Sequence, residues 1–132
     1  MTKEIIVKTE KRHQLIDITA EIEAIVQASR VDEGLVLVFT PHSTAGIIIT
    51  EDESGLKEDW FVFLKKLVSG FDFAHNRIDN NADAHILSGL IGQSKAFIVK
   101  DGNLLRGAWQ QIFLAEFDGP RERAVAIEII EK

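Results

Sequence analysis

The chain has 132 residues, 45% hydrophobic and 27% charged, the make-up of a single globular domain (residues 1–132) able to bury its own core. It contains no cysteine, which excludes disulfides, thiolate metal sites and cysteine nucleophiles and leaves any metal to His, Asp or Glu. Fifteen basic against 21 acidic residues give a net charge of −6, the wrong sign for holding nucleic acid by counterion release.

No apolar run approaches the length of a bilayer span, so no membrane partner is expected. The opening stretch MTKEIIVKTEKRHQ is charged throughout and does not read as a signal peptide, so the expected location is cytoplasmic. In chain order, residues 4–9 and 14–18 carry β-branched apolar residues between charged ones and read as two strands. Thr19 is placed to cap a helix running to about Arg30, with Ile22, Ile25, Val26 and Ser29 on one face. Leu35 to Phe39 is apolar at every position, which predicts a central strand buried on both faces.

Pro41 breaks that strand and residues 43–50 resume a β run, so a hairpin or bend is expected around Thr40-Pro41-His42. The stripe Leu56, Trp60, Phe63, Leu64, Leu67 and Val68 predicts a helix over 54–68, with Trp60 and Phe63 in the core and Gly70 at its end. Residues 71–83 are polar and irregular. Helical spacing returns from Ala84 to Ile91, capped by Asp83 or Asn81 and closed by Gly92. Residues 96–99 read as a strand ending in an Asp101-Gly102-Asn103 hairpin turn. Residues 109–117 and 123–131 are two more strands joined by a Gly-Pro loop, with Val125, Ile127 and Ile129 on one face of the last. About seven strands and three helices, with antiparallel hairpins in the C-terminal half, predict an α+β domain of antiparallel sheets with helices on one side.

The segment from His75 to His85 concentrates two histidines, two aspartates and three asparagines between apolar elements, the composition of a functional loop. His85 shares a helix face with Ser88 and Gly89, so a ligand can approach closely. With His42 at its bend, three imidazoles become available as nitrogen ligands, which would leave a fourth metal position open to water or substrate. Asp83 or Asp79 could orient one of them. The competing reading is that these histidines are surface or hydrogen-bonded structural residues, and their spacing matches no short metal motif. Glu116, alternating with Ile112 and Leu114, lies either at an exposed strand end or buried against a partner as a candidate acid or base. Arg121 and Arg123 could clamp a phosphate or pair with Glu116 and Glu122.

Three segments, Pro41-His-Ser-Thr-Ala-Gly-Ile-Ile-Ile-Thr-Glu51, His75 through Asp-Asn-Asn-Ala-Asp-Ala-His85, and Gly107-Ala-Trp-Gln-Gln-Ile-Phe-Leu-Ala-Glu116, occur in one order along the chain. In them the sequence resembles the YjbQ-like family, also called secondary thiamine-phosphate synthase enzymes. The resemblance implies an α+β domain assembled as a homotrimer, and a divalent metal, zinc, on His42, His75 and His85. It also implies a weak joining of hydroxymethylpyrimidine diphosphate to thiazole phosphate, with pyrophosphate as the leaving group. On that footing Glu116 and Asp83 are the expected catalytic residues. Arg121, Trp109, Gln110, Ser43 and Thr44 are expected around a small phosphorylated metabolite. Thr50 stands where the family pattern has Asn, and Ala108 where it has Thr or Ser. The alternative is a trimeric module that binds such a metabolite without turnover.

Overall fold

The computed structural model of the chain describes residues 2–132. In chain order these form β1 (Thr2–Lys8), β2 (Gln14–Asp17), α1 (Thr19–Ser29), β3 (Gly34–Phe39), β4 (Ala45–Thr50) and α2 (Ser54–Leu67). A short 3₁₀ turn (Ala74–Arg77) leads to α3 (Ala82–Ile91), β5 (Ser94–Lys100), β6 (Asn103–Leu105), β7 (Gln111–Glu116) and β8 (Glu122–Glu131). The strands make two antiparallel sheets, one ordered β1-β8-β3-β5-β6 and one ordered β2-β7-β4. The α+β class is therefore as expected, and the added strand is the short β6.

Alternation decides how the layers stack. Val36, Val38, Val125, Ile127 and Val99 of the large sheet meet Ile47, Ile112 and Leu114 of the small one, with Ile22 and Val26 of α1 closing the same core. On the other face of the small sheet, Ile48, Ala115 and the adjoining Phe117 pack against Leu64 of α2 and Ala84 and Leu87 of α3. The small sheet is thus a middle layer covered on both faces, which is why β4 and β7 are nearly continuous apolar runs.

Several expectations are corrected. β3 is not buried on both faces: Val36 and Val38 are fully buried, while Leu35 is 50% and Leu37 41% exposed on the opposite face of the sheet. No hairpin joins β3 to β4, because the two lie in different sheets. Thr40-Pro41-His42 is a bend between layers, fixed where the Thr40 amide donates to the Gln93 carbonyl and the Thr40 hydroxyl to the Ala124 carbonyl, both at 2.9 Å. Phe63 is 63% exposed and not core. Trp60 is half-buried and donates its indole N–H to the Thr50 hydroxyl at 3.1 Å. Thr19 is the first helical residue, and its hydroxyl accepts the Ile112 amide at 2.8 Å, tying α1 to β7. The 101–103 turn is as expected, with Asp101 and Gly102 at φ 51° and 75°.

Where β7 ends and β8 begins, a carboxylate and a guanidinium are buried together. Glu116 is 0% and Arg123 3% exposed. Arg123 Nε donates to Glu116 Oε1 at 2.8 Å, and Nη2 donates both to Oε2 and to the Thr44 hydroxyl, the latter at 2.7 Å. The Thr9 hydroxyl completes Oε1 at 2.8 Å and the Asp118 amide completes Oε2 at 3.0 Å. Desolvation pushes the Glu116 carboxyl upward, but the Arg123, Asp118 and Thr9 donors outweigh it and hold its pKa below the ordinary carboxylate range. The pair joins the large sheet to the small one, and the β7–β8 loop is pressed so close that a β-carbon on Gly119 would overlap the Lys11 carbonyl. Removing one partner leaves the other charge buried and unpaired. Arg123→Ala or Glu116→Gln should therefore cost about 3–5 kcal/mol in urea unfolding, against less than about 1 kcal/mol for Lys132→Ala at an exposed ion pair.

Candidate functional site

The same corner of the molecule, at the start of β4, the end of β7 and the N-terminus of α3, carries a polar rim. Asp118 is its hub. Asp118 Oδ2 accepts from Asn81 Nδ2 at 2.9 Å and Arg121 Nη2 at 3.0 Å, and Oδ1 accepts from Arg12 Nη1 at 3.3 Å. Burial favours the protonated acid, but the Asn81 and Arg121 hydrogen bonds and the Arg121 and Arg12 charges prevail and keep its pKa low. Arg12 also reaches Asp83 Oδ1 at 3.3 Å. Thr9 extends the buried pair to this rim, since its hydroxyl accepts the Arg121 amide at 2.7 Å while donating to Glu116. Both arginine side chains keep about half their surface in solvent, 43% for Arg12 and 51% for Arg121, so an anion can reach them.

Proton positions follow from the partners. Asn81 turns its amide N–H toward the Asp118 carboxylate, so its Oδ1 faces His75 Nε2 at 2.8 Å and His75 must be the donor. His75 Nδ1 is then free of that bond. The His75 and His85 rings stand edge to face, with centroids 4.8 Å apart. His42 is engaged differently. Its Nε2 accepts the Ala124 amide at 3.0 Å, so in the neutral ring the proton sits on Nδ1 and no lone pair remains for a metal. Burial and the Arg123 guanidinium hold the His42 pKa below its ordinary value.

Among the described residues no three of His, Asp and Glu stand close enough to hold one ion. The three-histidine centre implied by the resemblance is thus not formed in this chain as folded. His75 and His85 come together, and His42 is held by a backbone amide. Glu116 is saturated at both oxygens and sealed from solvent, so it has no lone pair to offer a substrate as a base. Asp83 lies on the rim with Arg12, Thr44 is buried under Arg123, and Ser43 is exposed beside His42. Trp109 and Gln110 are elsewhere. Gln111 pairs with Thr50 and Glu116 with Ala45, so five strand steps, about 17 Å, separate the two ends of β7. Sequence reasoning missed Arg12 and Asp118. The first lies in a charged stretch with no period, and the second sits where Gly119-Pro120 reads only as loop punctuation.

The comparisons agree on kinship. Residues 3–132 match the family described as UPF0047 protein YjbQ-like. The chain belongs to that family. A UPF0047 protein of Archaeoglobus fulgidus is 45% identical over 128 residues, covering 96% of this chain and 99% of that protein. YugU, a UPF0047 protein of Bacillus subtilis, is 37% identical over 134 residues, covering 98% and 99%. The crystal structure of a YbjQ-like protein from Sulfolobus solfataricus P2 superposes with a TM-score of 0.97 at 41% identity, covering 100% of this chain and 97% of that one. The YjbQ-like fold is therefore common to the full length of the chain, and the departures at Thr50 and Ala108 both fall near the Trp109 end of β7, away from the histidines of the same chain.

The His42 contact has a pH signature. Protonation removes the lone pair that accepts the Ala124 amide, and the folded-state pKa lies below the ordinary histidine value of about 6.5. The contribution is therefore complete above pH 6.5 and is lost as pH falls through the lowered folded value. Melting temperature should drop between pH 7.5 and pH 5, about less steeply in His42→Gln. His13, shifted the same way by burial, accounts for a remaining part of the slope.

Proposed function

We propose that the rim built on Asp118 binds the phosphoryl group of a small phosphorylated metabolite. The observation that carries this reading is the convergence of Arg12 and Arg121, each side chain about half exposed, on one carboxylate beside the His75–His85 pair. Asp118 and Asn81 hold the donors in place, and the buried pair behind them fixes Arg121 through Thr9. As an enzyme the protein would act as the family resemblance implies, a thiamine-phosphate synthase-like transferase. Arg12 and Arg121 would then carry the charge of a departing pyrophosphate, and a protonated His75 or His85 would supply its proton.

The metal part of the resemblance does not fit this chain as folded, because His42 has no free lone pair and no three donors converge. No step is therefore routed through a metal. A zinc ion would have only His75 and His85, with water or ligand oxygens completing its shell. Elemental analysis distinguishes the cases: loss of bound zinc in His75→Ala and His85→Ala with retention in His42→Ala is expected for a two-histidine site. Equal loss in all three would restore the three-histidine centre.

The second reading, a module that binds without turnover, is favoured by the sequestration of Glu116, which leaves no evident carboxylate base except Asp83. Homotrimeric assembly is proposed on both readings and is supported by the apolar outer face of the large sheet. Arg121→Ala should weaken inorganic pyrophosphate binding by about tenfold or more in calorimetry, since a hydrogen bond to a charged group is worth roughly 1.5–3 kcal/mol. Incubation with hydroxymethylpyrimidine diphosphate and thiazole phosphate should yield thiamine phosphate. Thermal stabilisation by pyrophosphate without that product would favour the binding module, and no binding would reject both.

A further inference from the structure

A cavity of about 470 Å³ lies against the rim, where Arg12 and Asp83 line it together with Phe71, Phe73, Asn76 and Asn80. One guanidinium belongs to both places. Arg12 Nη2 donates to Asp83 Oδ1 at 3.3 Å and to the Asn80 carbonyl at 3.4 Å, while its Nη1 reaches Asp118 Oδ1 at 3.3 Å. A molecule in the cavity is therefore one guanidinium away from the phosphoryl position.

The aromatic part of the lining follows from the local sequence. Gly70, at φ 81°, turns the chain out of α2 in a conformation that side-chain-bearing residues rarely adopt. The chain is extended again at Phe73, with φ −76° and ψ 127°, and residues two apart in an extended segment share a side. Phe71 and Phe73 accordingly stack, their centroids 5.4 Å apart and their planes 21° from parallel. Phe73 is half-buried, whereas Phe71 is 65% exposed and has no second ring against it among the described residues. A phenyl group held by one ring and open on its other side is a platform for a planar ligand.

The polar part of the lining suits a nitrogen heterocycle better than a hydrocarbon ring. Asn76 Oδ1 accepts the Ala82 amide at 3.0 Å, which leaves its Nδ2 as a donor. Asp83 meets Arg12 through Oδ1, which leaves Oδ2 as an acceptor. A ring that carries both donors and acceptors on its edge can use the two groups, and a phenyl ring can use neither.

We propose that this cavity holds a planar nitrogen heterocycle, stacked on Phe71 with Phe73 behind it, in the same ligand whose phosphoryl group occupies the rim. The inference rests on the rim reading for the phosphoryl group and adds the class of molecule, a heteroaromatic phosphate of the nucleotide kind. A sugar phosphate would leave the phenyl pair in water.

Calorimetry on the full-length chain compares pyrophosphate, ribose 5-phosphate, benzyl phosphate and cytidine monophosphate. Stacking should make the nucleotide bind about tenfold tighter than ribose 5-phosphate, with benzyl phosphate between them. The nucleotide should also move the Phe71 and Phe73 ring resonances in NMR spectra, and ribose 5-phosphate should leave them in place. Phe71→Leu, at an exposed position, should bring the nucleotide to the level of ribose 5-phosphate, while pyrophosphate, which has no ring, binds as before. The inference is overturned if the wild-type chain binds nucleotide and ribose 5-phosphate alike, or if Phe71→Leu weakens the two equally. Benzyl phosphate bound as tightly as the nucleotide would overturn the edge contacts of Asn76 and Asp83. Failure of the rim looks different: pyrophosphate does not bind, yet cytidine, which has no phosphate, still moves the Phe71 and Phe73 signals. Normal pyrophosphate binding with those signals unmoved by the nucleotide counts against the ring subsite alone.

Discussion

Burying a carboxylate and a guanidinium costs several kcal/mol per ion unless every donor and acceptor is met, and Glu116 with Arg123 meets that condition. Much of the functional corner follows from it. Glu116 ends the middle sheet and Arg123 begins the long strand of the large one, so the pair sets the spacing of the two layers at their common end. Thr9 relays the carboxylate to the Arg121 backbone, and the residue after Arg123 supplies the amide that His42 accepts. The carboxylate that looks most like a catalytic base in the sequence is thereby spent on architecture, and the chemistry passes to the exposed groups it positions.

Those exposed groups form a chain of fixed polarity. Arg12 and Arg121 orient Asp118, Asp118 orients the Asn81 amide, and Asn81 decides that His75 donates from Nε2. Each step removes one proton ambiguity. The outcome is a rim rich in donors, with two guanidinium groups and an imidazole pair, in a protein whose net charge is −6. An anion reaching this site is drawn by local charge against the overall field, which favours a compact, highly charged group such as a phosphate over an extended polyanion.

How much of this was legible in the sequence depended on whether the signal was local. The stripe from Leu56 to Leu67 is a 3.6-residue period and placed α2 within a residue of Ser54–Leu67. Asp101-Gly102 gave its turn, because positive φ is a property of those residues themselves. The run Leu35 to Phe39 misled, since apolarity at every position does not say whether the second face is covered by the same chain. The site shows the same division. The His75–His85 segment announced itself by composition, but Arg12 and Asp118 are more than 100 residues apart in the chain and meet only through the pairing of β2 with β7, a long-range fact. Trp109 and Gln110 were grouped with Glu116 because they share a motif, and a straight strand carries them to its opposite end.

That separation makes the two ends of the small sheet unlike: one end gathers charge and imidazoles, the other presents an exposed indole. The central claim concerns the first end, and imidazole and guanidinium NMR resonances followed during a titration with inorganic pyrophosphate test it most directly. The account predicts that the ring signals of His75 and His85 and the Nε–H of Arg121 move together and saturate, while the indole N–H of Trp109, beyond the opposite end of β7, stays in place. Saturation that leaves Arg121 and the histidine pair unmoved would contradict it.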